Sequence, residues 1–224
     1  MRKILIACRT GYDRDYAAST LLEVFQRDMK AAVLPLEYEE GWASDRMEAV
    51  RRFDHRSDRR YDIERPIRAY GVKNFTWLVG LSPEETEKRI KESDILCLFG
   101  EDASECMERI EDLGLYETIR NYDGILIVLS AAARILEDTF ETGEDRDRRT
   151  ISGLGILSAV HLLLHYDESE EAVGKMIRML ERDGLPILVL PEQSAVYLEE
   201  GRLELLGGAF IADENDLDEL YSLL

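Results

Sequence analysis

The stretch Gly124-Ile-Leu-Ile-Val-Leu-Ser-Ala-Ala-Ala-Arg-Ile-Leu136 decides the fold that we expect for this chain. Its five consecutive branched apolar residues, 125–129, are typical of a strand that is buried on both faces. The run ends at Ser130, and the residues from Ala131 onward favour a helix. A buried strand that turns abruptly into a helix at a serine is the layout of a nucleophile elbow. The alternative is a serine that only caps the helix.

Apolar runs of the same kind recur along the chain, and segments with helical spacing lie between them. The runs are Ile4–Cys8, Ala32–Leu36, Phe75–Val79, Ile95–Phe99 and Ile187–Leu190. Strands that alternate with helices predict right-handed crossovers and a mostly parallel sheet covered on both faces. Near the end, residues 195–198 and 202–205 flank a glycine turn, which predicts a β-hairpin. We therefore expect a single α/β domain over residues 1–224.

Composition and charge exclude several classes of partner. The 224 residues are 45% apolar and carry 28 basic and 47 acidic side chains, for a net charge of −19. Such a field repels phosphate backbones and anionic lipid surfaces, so we expect neither nucleic acid nor a membrane as partner. The short apolar run after Met1 is too short for a signal peptide, and we expect a cytoplasmic protein. The oligomeric state stays open, a homodimer being one option.

The residues that follow the predicted strands are the best candidates for a functional site. In open α/β sheets, ligands bind beyond the carboxyl ends of the strands. Three segments qualify: Arg9-Thr10-Gly11, Gly100-Glu101-Asp102 and Ser130-Ala131. Two charged stretches elsewhere, Arg51–Arg60 and Glu141–Arg149, are interpreted as solvated surface, the first on a helix and the second in a mobile loop.

A histidine and an acid follow Ser130 in the order that a serine-type catalytic triad could use. An apolar stretch ends at Leu164-His165-Tyr166, and a histidine there could accept the serine proton because its pKa lies near neutrality. Glu192 follows the run 187–190 and could orient His165. Taken one at a time, each of these residues is explained as well by an ordinary structural role.

Together these segments resemble a known family. Ser130-Ala131, Leu164–Asp167, Leu185–Ala195 and Leu198–Gly208 follow, in order, the pattern of peptidase E and the related cyanophycinases. The resemblance covers roughly residues 94–210. It implies a three-layer αβα sandwich with a mostly parallel central sheet, similar to class I glutamine amidotransferases, with serine in place of the amidotransferase cysteine. The C-terminal β-hairpin belongs to the same pattern.

The resemblance also implies roles for individual residues. Ser130 would be the nucleophile of a serine peptidase or amide hydrolase, His165 its base, and Glu192 the acid of the triad. Peptidase E-like relatives draw an Asp from the loop after the elbow instead, where this chain offers Asp138, Asp145 and Asp147. The backbone amides of Ala131 and Glu101 would form the oxyanion hole. The implied substrate is small and peptide-like, and no cofactor or metal is implied.

Two departures from the family pattern leave other functions open. The elbow has Val128 and Ala132 where the family has glycine, and the loop after residue 99 carries Glu101 and Asp102 in place of small residues. Inward carboxylates would repel a developing oxyanion. The spacing of Asp102 and Glu105 instead favours a helix cap. The alternatives are a member that has lost catalysis and binds a small molecule or protein, and an amidotransferase-like module.

Overall fold

The computed structural model describes residues 2–36, 58–143 and 148–224. A seven-stranded sheet forms its centre, and five neighbouring strands of that sheet are parallel. In chain order these are β1 (Lys3–Ala7), β2 (Lys30–Pro35), β3 (Asn74–Trp77), β4 (Ile95–Phe99) and β5 (Ile125–Leu129). Their order across the sheet is β1-β5-β4-β2-β3. The predicted mostly parallel sheet is confirmed, with strand ends within two residues of those expected from the sequence.

Helices cover both faces of this sheet, which explains the continuous apolar runs. On one face lie α1 (Asp15–Val24) and α2 (Asp58–Ala69), and on the other α3 (Pro83–Lys91), α4 (Ala103–Asp112) and α5 (Tyr116–Arg120). Within β1, Leu5 packs toward the first pair of helices, whereas Ile4 and Ile6 pack toward the other three. Both sides of the inner strands β1, β2, β4 and β5 are therefore core, as in other three-layer αβα sandwiches.

The predicted C-terminal hairpin is confirmed and extends the central sheet. Its arms are β10 (Ser194–Glu199) and β11 (Arg202–Gly207), and Gly201 takes the left-handed conformation, with φ +73°, that the tight turn requires. β10 pairs antiparallel with β1, so that Ile4 lies opposite Leu198. The hairpin thus occupies the edge of the parallel strands beside β1.

The sequence pattern predicts that the run 187–190 belongs to the central sheet, and this prediction is wrong, because the run forms a strand of a second sheet. This strand, β9 (Ile187–Pro191), pairs with β8 (His161–Tyr166) and β12 (Phe210–Ala212) in a second, three-stranded sheet. Because β10 already occupies the edge of β1, β9 pairs with β8 instead. Two helices, α6 (Glu170–Asp183) and α7 (Leu217–Ser222), close a separate apolar cluster against this sheet.

The segment after β5 is a 3-10 turn over Ser130–Leu136 and not the expected α-helix. Tertiary hydrogen bonds also end the segment at Leu136. Leu154 donates to the carbonyl of Ile135 at 2.7 Å, and Ile156 donates to that of Leu136 at 2.9 Å. These bonds occupy carbonyl groups that a continuing α-helix would use for its own amides. The turn is therefore held by the chain around it.

The remaining segments add short elements at the surface. β6 (Thr139–Thr142) and β7 (Arg149–Ser152) form an antiparallel pair, so the flanks of the predicted mobile loop 141–149 are strands, and residues 144–147 lie outside the described part. Of the stretch 51–60, only residues 58–60 are described, at the start of α2. A 3-10 turn at Glu214–Asp216 precedes α7. Within the described ranges, no helix has both the length and the apolar content to cross a membrane.

Candidate active site

Ser130 stands directly at the carboxyl end of β5 in a strained backbone conformation. Its φ is +58°, in the left-handed region that non-glycine residues seldom adopt. Val128 and Ala132 stand where the family that the sequence resembles has glycine, and both are fully buried in the core below the turn. The sharp turn therefore forms without flanking glycines. It directs the half-buried Ser130 side chain into the space beyond the strand ends.

Ser130, His165 and Glu192 form one continuous hydrogen-bonded chain. The distance from Ser130 Oγ to His165 Nε2 is 3.3 Å, and His165 Nδ1 lies 2.9 Å from Glu192 Oε1. His165 reaches this position because its own φ is +57°, at an irregularity in the pairing of β8 with β9. The side chains of His165 and Glu192 are each roughly 40% exposed (38% and 43%), so the chain opens to solvent.

The charge state of Glu192 determines which ring nitrogen of His165 carries the proton. Burial acts to raise the pKa of Glu192, but hydrogen bonds from His165 and Arg9 outweigh it and lower that pKa below its usual value. Arg9 Nε pairs with Glu192 Oε2, the oxygen that His165 does not contact. An ionised Glu192 accepts the Nδ1 proton of His165, which leaves the Nε2 lone pair directed at the Ser130 hydroxyl.

The two carboxylates of the loop after β4 both have partners. Asp102 is the N-cap of α4, where its Oδ1 accepts the amides of Ser104 at 2.8 Å and Glu105 at 3.0 Å. Glu101 Oε1 pairs with Arg59 Nη2 at 3.0 Å. The Glu101 amide has no hydrogen-bond partner within the described residues. The helix cap inferred from the sequence is confirmed, and both carboxylates of the loop are engaged by other groups.

A cleft of about 370 Å³ opens in front of Ser130. Its floor comes from the residues that follow β1, β4 and β5, and one wall comes from α2. All three strand-end segments singled out in the sequence therefore meet here. Besides Cys8 and Leu129, the lining residues are Arg9, Thr10, Arg59, Asp62, Ile63, Phe99, Gly100, Glu101, Ser130 and His165.

Comparison with known proteins identifies the fold. Neither a protein-family model nor a curated protein sequence matches the chain. A crystal structure of a protein assigned as a peptidase E from Listeria monocytogenes EGD-e superposes with a TM-score of 0.66 at 12% identity, covering 92% of this chain and 98% of that one. A peptidase from an acI-B1 actinobacterium gives 0.60 at 15% identity, covering 96% and 88%. The chain has a peptidase E-like fold.

Within this peptidase E-like fold, the three residues proposed from the sequence as a triad lie together, whereas an alternative acid does not. Asp138 faces another part of the molecule, where its Oδ2 accepts the Ala159 amide at 3.1 Å. Asp145 and Asp147 lie outside the described residues. Of the described candidates for the acid, Glu192 is the one that contacts His165.

Sequence reasoning missed two residues that support His165 and Glu192. Arg9 was placed at this edge of the sheet, but its pairing with Glu192 depends on the meeting of two distant segments. Cys8 ends the apolar run 4–8, and its sequence context gives no sign of a polar role. Its thiol donates to the carbonyl of Leu190 at 3.0 Å and accepts the amide of His165 at 3.3 Å. Cys8 therefore links the strand that carries the histidine to the strand that precedes the acid.

We expect Cys8→Ala to lower both stability and reactivity. Cys8 is fully buried, and burial raises the pKa of its thiol to about 11, so the group is a neutral donor. Its loss leaves the His165 amide and the Leu190 carbonyl without this partner, at a cost of about 1–3 kcal/mol in unfolding free energy. The left-handed His165 loses a constraint, and the rate of Ser130 labelling by a fluorophosphonate should fall about tenfold.

The control for this prediction is Cys97→Ala. Cys97 is another fully buried thiol, but it lies in the middle of β4, away from His165. It should lose stability while keeping the labelling rate of the folded protein. Cys8→Ser should recover most of that rate, since a hydroxyl can make both hydrogen bonds. Equal labelling rates for Cys8→Ala and Cys97→Ala would refute the positioning role of Cys8.

Proposed function

We propose that this protein is a serine-type hydrolase that cleaves an amide bond in a small peptide-like substrate. The observation that carries the proposal is the hydrogen-bonded chain from Ser130 through His165 to Glu192. The left-handed Ser130 at the end of a parallel strand supports it, because this conformation places the hydroxyl of a nucleophile elbow in the open. Two proteins that share the fold are named as peptidases, which supports a hydrolase function. At 12% and 15% identity, the likeness itself is one of fold.

The proposed reaction follows from the geometry. Ser130 Oγ attacks the amide carbonyl carbon while its proton passes to His165 Nε2. Glu192, ionised and paired with Arg9, stabilises the imidazolium that forms. The carbonyl oxygen becomes an oxyanion and accepts the backbone amides of Ala131 and Glu101. His165 returns the proton to the amine as the C–N bond breaks, and water, activated by the same histidine, hydrolyses the acyl-serine.

Covalent labelling by a fluorophosphonate tests this proposal. The reagent phosphonylates an activated serine hydroxyl and displaces fluoride, so it reports the nucleophile without requiring knowledge of the substrate. We expect the wild type to be labelled and Ser130→Ala to be inert. Ser158→Ala is the matched control, because Ser158 is exposed, its hydroxyl contacts Asp138 at 3.3 Å, and its removal should leave labelling unchanged. Equal labelling of wild type and Ser130→Ala would overturn the proposal.

A further inference from the structure

Arg59 and Glu101 form an ion pair in the same cleft as Ser130. Arg59 Nη2 lies 3.0 Å from Glu101 Oε1, and both residues line the 370 Å³ cleft described above. The backbone amide of Glu101 is the proposed oxyanion donor of this loop, so its carboxylate lies close to the place where negative charge would develop. Within the described residues, no other cation contacts this carboxylate. The pair therefore determines whether the loop presents a free negative charge to the site.

Aromatic side chains at the ends of two strands help to hold Arg59 in this position. Its guanidinium lies 5.6 Å from the ring centroid of Phe99, the buried last residue of β4. Phe99 in turn makes an edge contact with Trp77 at the end of β3, with the ring centroids 5.9 Å apart. A guanidinium above an aromatic face is attracted to it. The sheet as well as Glu101 therefore determines where the cation lies.

Glu64 anchors α2, the helix that carries Arg59, to the central sheet. It is buried, and its carboxylate accepts hydrogen bonds from Arg60 at 2.9 Å, from Arg68 at 2.6 Å and from Trp77 Nε1 at 2.8 Å. Burial acts to raise the pKa of Glu64, but these hydrogen bonds outweigh it and lower that pKa below its usual value. An ionised carboxylate with this many donors stabilises one placement of the helix on β3. The packing of α2 therefore presents Arg59 to the loop after β4.

An unpaired carboxylate in this loop would oppose the proposed reaction. Glu101 stands where the family that the sequence resembles has a small residue, so its charge is a departure from that pattern. Two like charges about 6 Å apart repel each other, which after solvent screening at a protein surface corresponds to about a tenfold loss in rate. A guanidinium in contact with the carboxylate offsets most of this repulsion.

We propose that Arg59 is a positioning residue, which pairs with Glu101 and thereby prevents the Glu101 carboxylate from repelling the oxyanion. The proposal rests on the proposed hydrolase function and adds a residue from a distant segment to its site. Arg59 acts through Glu101 and not through contact with the substrate. The arginine at the start of α2 thus compensates for the acid that the loop after β4 carries in place of a small residue.

A double-mutant cycle tests this role through the rate at which a fluorophosphonate labels Ser130. Arg59→Ala leaves the Glu101 carboxylate without this partner and should lower the rate about tenfold. Arg59→Lys retains a cation and should recover most of the rate. Glu101→Gln keeps the backbone amide but removes the charge, so in this background Arg59→Ala should have no further effect. The double variant should therefore label at the rate of Glu101→Gln.

Added salt and a second arginine of α2 provide the controls. Because the side chain of Glu101 is 75% exposed, salt should screen its charge and reduce the defect of Arg59→Ala, whereas a defect in folding would persist. Arg68 also pairs with an acid, and its guanidinium lies 4.4 Å from the ring centroid of Phe75, but it does not line the cleft. Arg68→Ala should therefore keep the wild-type rate.

A binding assay keeps this test separate from that of the hydrolase function. The probe is the monoanion of isopropyl methylphosphonate, titrated into Ser130→Ala and followed by phosphorus NMR. Adding Arg59→Ala should lower the affinity about tenfold, and this difference should disappear when Glu101→Gln is also present. Absence of labelling in the wild type would overturn only the hydrolase function. If Arg59→Ala changed neither the labelling rate nor the affinity, or if its effect persisted with Glu101→Gln, the role of Arg59 would be refuted.

Discussion

Replacing His165 by alanine is expected to reduce the rate constant for fluorophosphonate labelling of Ser130 by about 10³-fold. His165 Nε2 lies 3.3 Å from Ser130 Oγ and is the base that would take the hydroxyl proton as the new bond forms. General base catalysis of this kind contributes about 10²–10⁴-fold. The side chain of His165 is partly exposed, so its removal should leave the fold intact, which circular dichroism would check.

Two further variants test the acid of the triad and provide a control. Glu192→Gln should also lower the rate, because an amide in place of the carboxylate weakens the hold on Nδ1–H and the stabilisation of the imidazolium. Glu168→Gln removes an exposed acid near His165 and should leave the rate unchanged. If His165→Ala kept the wild-type rate, His165 would not be the base.

The largest expected effect on stability comes from Glu137→Ala, which should reduce the free energy of unfolding by about 3–5 kcal/mol. Glu137 follows the Ser130 turn and is almost completely buried, with 1% of its surface exposed. Its Oε2 accepts a hydrogen bond from His161 Nδ1 at 2.9 Å, and its Oε1 lies 3.4 Å from Arg134 Nε. Removal of the carboxylate leaves the buried His161 without this partner. Urea denaturation would measure the loss.

The pairing of Glu137 with His161 also predicts how the loss of unfolding free energy depends on pH. Hydrogen bonding to Glu137, opposed by burial and assisted by Asp183, raises the pKa of His161 above 6.5. The stabilisation from charged His161 is therefore complete below about pH 6.5 and disappears as the pH rises through the raised value. The difference between wild type and Glu137→Ala should be larger at pH 6 than at pH 9. Glu111→Ala, an exposed acid in α4, is the control. A loss below 1 kcal/mol for Glu137→Ala would contradict this account.

The sheet could be predicted because burial on both faces leaves a direct mark on the sequence. The run 125–129 is apolar throughout, and both of its faces pack against helices. The position of Ser130 at the strand end follows from that run alone. The hairpin could be predicted because its turn carries Gly201, which takes a left-handed conformation. Each of these features can be recognised from the residue types within one continuous segment of the chain.

Other features could not be predicted because they depend on contacts between distant segments. The amide of the left-handed His165 donates to the thiol of Cys8, which is 157 residues away along the chain, and Arg9 pairs with Glu192 across a similar separation. The segment after β5 ends at Leu136 because residues 154–156 donate to carbonyl groups at its end. The sequence indicates the residue types of the site and their order, but not the tertiary contacts that orient them.

The crystal structure of the fluorophosphonate adduct tests the central claim most directly, because it reports the nucleophile and the oxyanion hole together. We predict a phosphorus atom bonded to Ser130 Oγ, with its oxygen about 3 Å from the amides of Ala131 and Glu101. His165 Nε2 should remain next to the modified serine. A phosphonyl group on any other residue, or an adduct on Ser130 whose oxygen points away from both amides, would contradict the account.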